Sequence, residues 1–384
     1  MALSADAKTL VAGAPFANNY TGYVVVYRMA DEGGTRTQLG QTIYGNATGD
    51  LFGRSVDIAA NGMYIVLGSP GNYNYILGYV RVLSLDSSDG TGTGTWKQIG
   101  QNIIGEAFGD EFGWSVSISG DGKTIAVGAA TNDGKNGQDS GHVRIYRLED
   151  DYSSWEQIGE DLDGTLAGDH SGSSVSLSAN GSIVAIGAPH ANYYGVSNGQ
   201  VKVYRIDSEG SSWEQLGKTI YGDNAHDWFG YSVDISPGGN TLAVGTYVSD
   251  GPGYVRVFSL EWDDEVGPAS WSWMQIGHNI TGEDGGDQFG WSVSLSDDAN
   301  TLAIGAPFAN GKDGDDTGHV RVYRMDDSES GWMQLGEDID GEAFEDYSGV
   351  SVSLSADGKH VAIGSSGNGD NGGGSGHVRV FVME

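Results

Sequence analysis

Six aspartates recur at one spacing. Asp50, Asp110, Asp169, Asp227, Asp287 and Asp346 each stand three residues before a glycine: Gly53, Gly113, Gly172, Gly230, Gly290 and Gly349. A carboxylate kept at one place in every copy of a pattern has two uses. It can cap its own turn by accepting backbone N–H bonds. Arranged around an axis, the six could instead form an acidic ring that attracts cations, joined by Glu106, Glu283 and Glu342. The whole chain leans the same way. Its 52 acidic residues outnumber 19 basic ones, giving a formal net charge of -33 over 384 residues.

A second set of residues lies between these positions. "TNDGKNGQDSG" holds Asp133 and Asp139, "NGKDGDDTG" holds Asp313, Asp315 and Asp316, and "GNGDNGGGSG" holds Asp370. Glycines allow sharp bends while carboxylates and carbonyls supply hard oxygens, so calcium is the cofactor these loops would take. None has EF-hand spacing, and solvated loops are the other reading. The remaining loops carry aromatics: Phe16 and Tyr20, Tyr73 and Tyr75, Tyr193 and Tyr194, and Tyr247, with His190 beside them. Exposed rings are what a sugar or a protein hot spot would meet. Packing on adjoining loops would use them equally. His142, His319 and His377 share one "GHV" position, which marks them as structural. His170, His190 and His226 do not. With Tyr193, Tyr194 and Asp227 they could serve acid–base chemistry of the polysaccharide-lyase or hydrolase kind. No residue is assigned a catalytic role on this basis.

These residues must be positioned by a repeat. The glycines named above are 60, 59, 58, 60 and 59 residues apart, and "MALSADAKTLVAGAP" opens a seventh unit. Each unit has four strand signals, as in "SVSIS", "TIAVGA", "HVRIYR" and "WEQIGEDLDG", with Asp-Gly or Asn-Gly hairpin turns between the first two. In the first two strands one face is bulky (Val116, Ile118, Ile125, Val127) and the other small (Ser115, Ser117, Ala126, Gly128). Large against small permits close face-to-face approach of radial sheets. The pattern predicts an all-β fold, a seven-bladed β-propeller of four-stranded antiparallel blades. One domain of residues 1–384 is expected, with repeats near 1–51, 52–111, 112–170, 171–228, 229–288, 289–347 and 348–384. The chain ends on a third-strand signal. The last blade is therefore three-stranded, or is completed by sequence upstream of an opening that reads as mid-repeat.

Composition narrows the partners. The charge disfavours nucleic acid and anionic membrane surfaces, and no apolar run approaches the ~18 residues of a membrane span. There is no cysteine, hence no disulfide, thiolate metal site or thiol nucleophile. No nucleotide-binding, zinc-binding or nucleophile-elbow motif occurs.

Phe112-Gly113 with Gly128-Ala129-Ala130, and Phe289-Gly290 with Gly305-Ala306-Pro307, carry a further signal. FG-x-S-V followed by AVGAP or AIGAP and G-x-V-x-V-Y resembles the FG-GAP repeat of the integrin α-subunit head and related surface and secreted proteins, over essentially the whole chain. Ser171-Gly172, Ser348-Gly349 and Gly245-Thr246-Tyr247 depart from it. The resemblance implies a seven-bladed propeller. It also implies an extracellular or cell-surface, adhesion-type binding module that meets a protein or carbohydrate ligand through an acidic loop-rich face. A monomer is expected for the isolated domain. Many such repeats hold calcium in the first hairpin through D-x-D-x-D-G-x-x-D. Here that hairpin is only S-x-D-G-K, so those sites are not carried over. Two alternatives stand beside this reading: a polysaccharide lyase or hydrolase on the same face, and a structural repeat segment of a larger surface protein.

Overall fold

The computed structural model describes residues 1–29, 36–71, 76–88, 93–193, 196–248, 251–262, 271–311, 314–326, 331–369, 372 and 374–383, without the side chains of 193 and 196. Tyr73, Tyr75, Tyr194, Asp313 and Asp370, and the ring of Tyr193, lie outside the described residues.

Seven antiparallel blade sheets follow one another along the chain, with one two-stranded pair, Asn192–Tyr193 and Val196–Ser197, in the loop of blade four, and the fold is a seven-bladed β-propeller. Blade three is representative. Its strands Ser115–Ile118, Thr124–Ala129 and His142–Leu148 pair in sequence order. The outer "WEQIGEDLDG" segment is not one strand. It pairs with the third strand as two pieces, Trp155–Gln157 and Leu162–Asp163, because Gly159 at φ 75° turns the chain between them. The last blade has three strands, Ser348–Leu354, His360–Ser365 and His377–Val382. By contacts the chain divides into two compact units, residues 1–186 with 205–214, and residues 187–204 with 215–384.

Within the first unit the recurring sequence explains how blades join. The hairpin turns are held by their own side chains: Asp121 accepts from the Ser119 hydroxyl (2.6 Å) and the Lys123 N–H (2.9 Å). The bulky face of blade three, with Val116, Ile118, Ile125 and Val127, packs into one cluster with Val66, Val80 and Val82 of blade two. Near the Phe-Gly pair the contact becomes backbone on backbone. A Cβ on Gly68 would stand 2.2 Å from the Gly113 carbonyl oxygen, and one on Gly128 would stand 2.1 Å from that of Gly172. Those same carbonyls accept the hydroxyls of Ser55 (2.8 Å) and Ser115 (2.7 Å). The outer strands are joined by tryptophan, whose indole N–H donates to the preceding blade: Trp96 to Leu39 O (2.9 Å), Trp155 to Ile99 O (3.1 Å).

The second unit repeats these devices. Ser232 donates to Gly290 O (2.7 Å), Ser292 to Gly349 O (2.8 Å), and Trp273 to Leu216 O (2.9 Å). Thus the Phe-Gly-type glycine of one blade accepts a serine hydroxyl from the preceding blade and abuts that blade's Gly-Ala-Pro-type glycine, forming one blade-to-blade latch.

A further inter-blade bond titrates. Asp57 on the first strand of blade two accepts the N–H of Ile118 in blade three (2.8 Å) and of Ile58 (2.8 Å). At the same repeat position, Ser117 accepts the Leu177 N–H (3.1 Å). Burial pushes the Asp57 carboxyl up to about 6, against the pull of these hydrogen bonds. The folded state therefore favours the protonated acid. Its contribution is fully present below about pH 4 and is lost as pH rises through about 6. Asp57→Ser introduces the residue that blade three uses. The stability of the natural protein relative to this variant is expected to fall by about 2 kcal/mol between pH 4 and 7, after discounting for partial exposure. Urea unfolding of both at pH 4, 5.5 and 7 measures it, and parallel pH profiles would refute it.

Candidate ligand-binding face

Two kinds of loop meet at one edge of each blade. One joins the second strand to the third; the other links the outer strand to the next blade. They are hydrogen-bonded to each other. Leu51 N–H donates to Tyr20 O (2.9 Å), His170 N–H to Asp139 O (3.2 Å), and Tyr347 N–H to Asp316 O (3.1 Å). Both residues of each pair are left-handed, with φ of 55° and 62°, 54° and 52°, and 54° and 51° respectively. Left-handed backbone is costly for residues other than glycine, least so for Asp and Asn. Asp139 and Asp316 thus occupy the position that Tyr20 holds in blade one.

The metal-ligand expectation is reshaped by this. Asp133 accepts the Asp139 N–H (3.0 Å), and Asn310 does the same for Asp316 (3.1 Å). These side chains close their own loops. Asp315 is exposed and Asp316 half-buried. Among the described residues the groups that converge as metal ligands are others: His142 with Asp161 and Asp163, and Glu342 with Asp346 and His377.

The six spaced aspartates are all buried. Each accepts N–H bonds from its own turn: Asp50 from Asn46 and Ala47, Asp110 from Ala107, Asp169 from Thr165 and Leu166, Asp227 from Asn224, Asp287 from Asp284, and Asp346 from Glu342 and Ala343. A side chain from the loop or third strand of the blade that follows often adds a bond. Tyr79 and Tyr254 donate their hydroxyls to Asp50 (2.8 Å) and Asp227 (2.5 Å), and Asn132 its amide to Asp110 (2.7 Å). Glu106, Glu283 and Glu342 pair with Arg144, Arg321 and Arg379 of the third strands.

The aromatic residues divide into two groups. Phe16 and Tyr20 stand out from blade one, 65% and 56% exposed, edge to face with centroids 6.0 Å apart. The turn that presents them has three consecutive left-handed residues, Asn18, Asn19 and Tyr20. In the second unit His190 stacks on Trp228 (4.5 Å) and Trp228 on Tyr247 (4.7 Å). The run continues through Trp291 (5.6 Å), Phe308 (5.6 Å) and Tyr347 (5.3 Å), all half-buried. Trp228, Phe308 and Tyr347 were not singled out from sequence. Their signal is positional: Trp228 and Tyr347 each stand two residues before the latch glycine.

His226 is exposed, and burial holds His170 below the usual imidazole range. His142 and His319 are buried and are likewise lowered, by burial first and then by the neighbouring Arg144 and Arg321.

Repeated antiparallel blades joined by backbone latches of this kind define a repeat β-propeller. The FG-GAP repeat model matches residues 105–146, which run into blade three, and 274–323, which run from the outer strand of blade five into blade six, so the chain carries FG-GAP repeats in these two stretches. No curated protein is matched by the sequence. Among solved structures, the chain is similar to a protein from Bacteroides fragilis described as a putative 6-phosphogluconolactonase. Identity is 12%, TM-score 0.63, covering 98% of this chain and 90% of that one. It is similar to a periplasmic gluconolactonase of Pseudomonas aeruginosa at 16% identity and TM-score 0.56, covering 89% and 85%. It also resembles the hydrazine synthase of Kuenenia stuttgartiensis at 14% identity and TM-score 0.56, covering 100% and 94%. At these identities the likeness is one of fold.

Proposed function

We propose that this propeller is a non-enzymatic, adhesion-type binding module that recognises a protein or carbohydrate ligand through the loop edge of its blades. The observation that carries the reading is the Phe16–Tyr20 pair. Two large rings are more than half exposed, on a turn of three left-handed residues, Asn18, Asn19 and Tyr20, of which the tyrosine carries the main cost, about 1 kcal/mol. The turn is fixed by its own backbone bonds, Gly22 N–H to Ala17 O (3.1 Å) and Leu51 N–H to Tyr20 O (2.9 Å), so the rings are presented without further ordering. Exposed Phe108 and Phe344 on the inter-blade links, 60% and 58% accessible, extend apolar surface along the same class of loops. A neutral or cationic ligand suits the net charge of -33.

The test is a screen of immobilised neutral glycans and extracellular-protein arrays, with and without calcium, using the natural protein and Phe16→Ala/Tyr20→Ala. The double variant is expected to lose its ligand by about 30-fold or more. Its unfolding free energy should stay within about 0.5 kcal/mol of the natural protein, since the rings support no core. A ligand bound equally well by both proteins would overturn the assignment of the face. Turnover of a bound polysaccharide would overturn the non-enzymatic reading.

A further inference from the structure

The residue that opens the third strand differs between blades. In blades two and five it is Tyr79 and Tyr254, whose hydroxyls reach the turn-capping Asp50 and Asp227. In blade three it is His142, paired across the strand with Ala129 as Tyr79 is with Ser69. An imidazole is too short for the tyrosine's bond, and Asn132 supplies Asp110 instead. His142 is left 2% exposed with no hydrogen bond at either nitrogen; Nε2 is buried and Nδ1 stands 3.9 Å from Asp161 Oδ2. An unsatisfied buried polar group is costly, and His142 lines an open cleft of about 370 Å³.

The cleft is acidic. His142 is the cross-strand partner of Asp163, and Asp161 lies two residues before Asp163, in the break between the two pieces of the outer strand. One nitrogen of His142 and one oxygen from each of Asp161 and Asp163 lie within 4.8 Å of one another. Glu106, Asp133 and Glu160 also line the cleft, so five carboxylates face two cations, Lys135 and Arg144. The cations are held differently. Arg144 is mostly buried and grips Asp161 through two bonds of 2.8 and 2.7 Å, fixing its orientation. Lys135 only reaches in: its Nζ is 2.8 Å from Asp163 while its side chain is 69% exposed. It can swing out to water without loss of packing.

We propose that His142, Asp161 and Asp163 form a binding site for a divalent transition-metal ion of the zinc class, with Lys135 as the tethered cation it displaces. One imidazole nitrogen with carboxylate oxygens is a zinc donor set. Calcium, which takes six to eight oxygens and no imidazole, does not fit it. Arg144 stays behind Asp161 as the group that orients a ligand. In blade six His319, Asp338 and Asp340 repeat the residue types, but among the described residues they do not converge in the same way, which makes His319 an internal control.

Calorimetry with zinc chloride and the visible absorption of bound cobalt(II) test the proposal on the full chain. His142→Gln installs the residue that blade four carries at this position, Gln200. It is expected to weaken zinc by about tenfold or more and to abolish the cobalt band, whereas His319→Gln leaves both unchanged. Lys135→Ala changes an exposed side chain and should tighten zinc severalfold by removing the competitor. Zinc binding that is indifferent to both His142→Gln and Lys135→Ala would overturn the site. Displacement of cobalt by equimolar calcium would do so too.

Discussion

Gly128→Ala is expected to destabilise the protein by about 3 kcal/mol or more, although it adds one methyl group. The new Cβ would stand 2.1 Å from the carbonyl oxygen of Gly172 and 2.4 Å from Ser115 Oγ. The two atoms it strikes are hydrogen-bonded to each other at 2.7 Å, so neither can retreat without breaking the bond. Gly128 itself is not left-handed, which makes the effect one of space rather than of backbone preference. Gly168→Ala supplies the contrast. Its φ is +78° with nothing within 4 Å of the added carbon, so only left-handed strain of about 1 kcal/mol applies. Urea denaturation should separate the two by about 2 kcal/mol. Equal losses would mean that the blades are not held by backbone contact at Gly-Ala-Pro.

That latch shows why the fold could be read in advance. Strand alternation and Asp-Gly turns act over a few residues, so "SVSIS", "TIAVGA" and "HVRIYR" identify their strands directly. The 58–60 residue period then requires each blade to repeat the contacts of the one before. The small face of Ser115 and Gly128 is small because another backbone lies against it. The outer strand was less legible: "WEQIGEDLDG" reads as continuous, yet Gly159 breaks it and so brings Asp161 and Asp163 to one side of His142. The site residues were legible only in part. Regular spacing of the aspartates showed that they matter but could not distinguish turn capping from an open acidic ring; burial and the N–H bonds supply that. The run from His190 to Tyr347 joins positions more than 150 residues apart, a distance no local pattern spans. The unsatisfied imidazole of His142 has meaning only once Tyr79 is seen to reach Asp50.

Phe289→Ala is the second large effect, expected to cost about 3–5 kcal/mol. Phe289 is wholly buried in a cluster with Val255, Val257, Ile280, Val293 and Tyr323. Its ring meets Tyr323 edge-on at 6.4 Å, and the Arg321 guanidinium lies 6.0 Å from its centroid. Arg321 is in turn held by Asp338 through bonds of 2.8 and 2.7 Å. Truncation therefore opens a cavity and removes the floor beneath a largely buried ion pair. The surroundings cannot collapse to fill the space, because Gly253 and Gly282 already press on the Phe289 backbone and Cβ: a Cβ on either would come within 2.2 and 2.7 Å. Phe108, in the link that leads into blade three, is 60% exposed, and Phe108→Ala should change stability by less than about 0.5 kcal/mol. Denaturant midpoints of the two variants measure the difference. A small loss for Phe289→Ala would place the energetic centre of the motif in its glycines alone, while the loss expected here makes the Phe-Gly pair two devices: a ring that fills the junction between blades, and a glycine that lets the backbones touch.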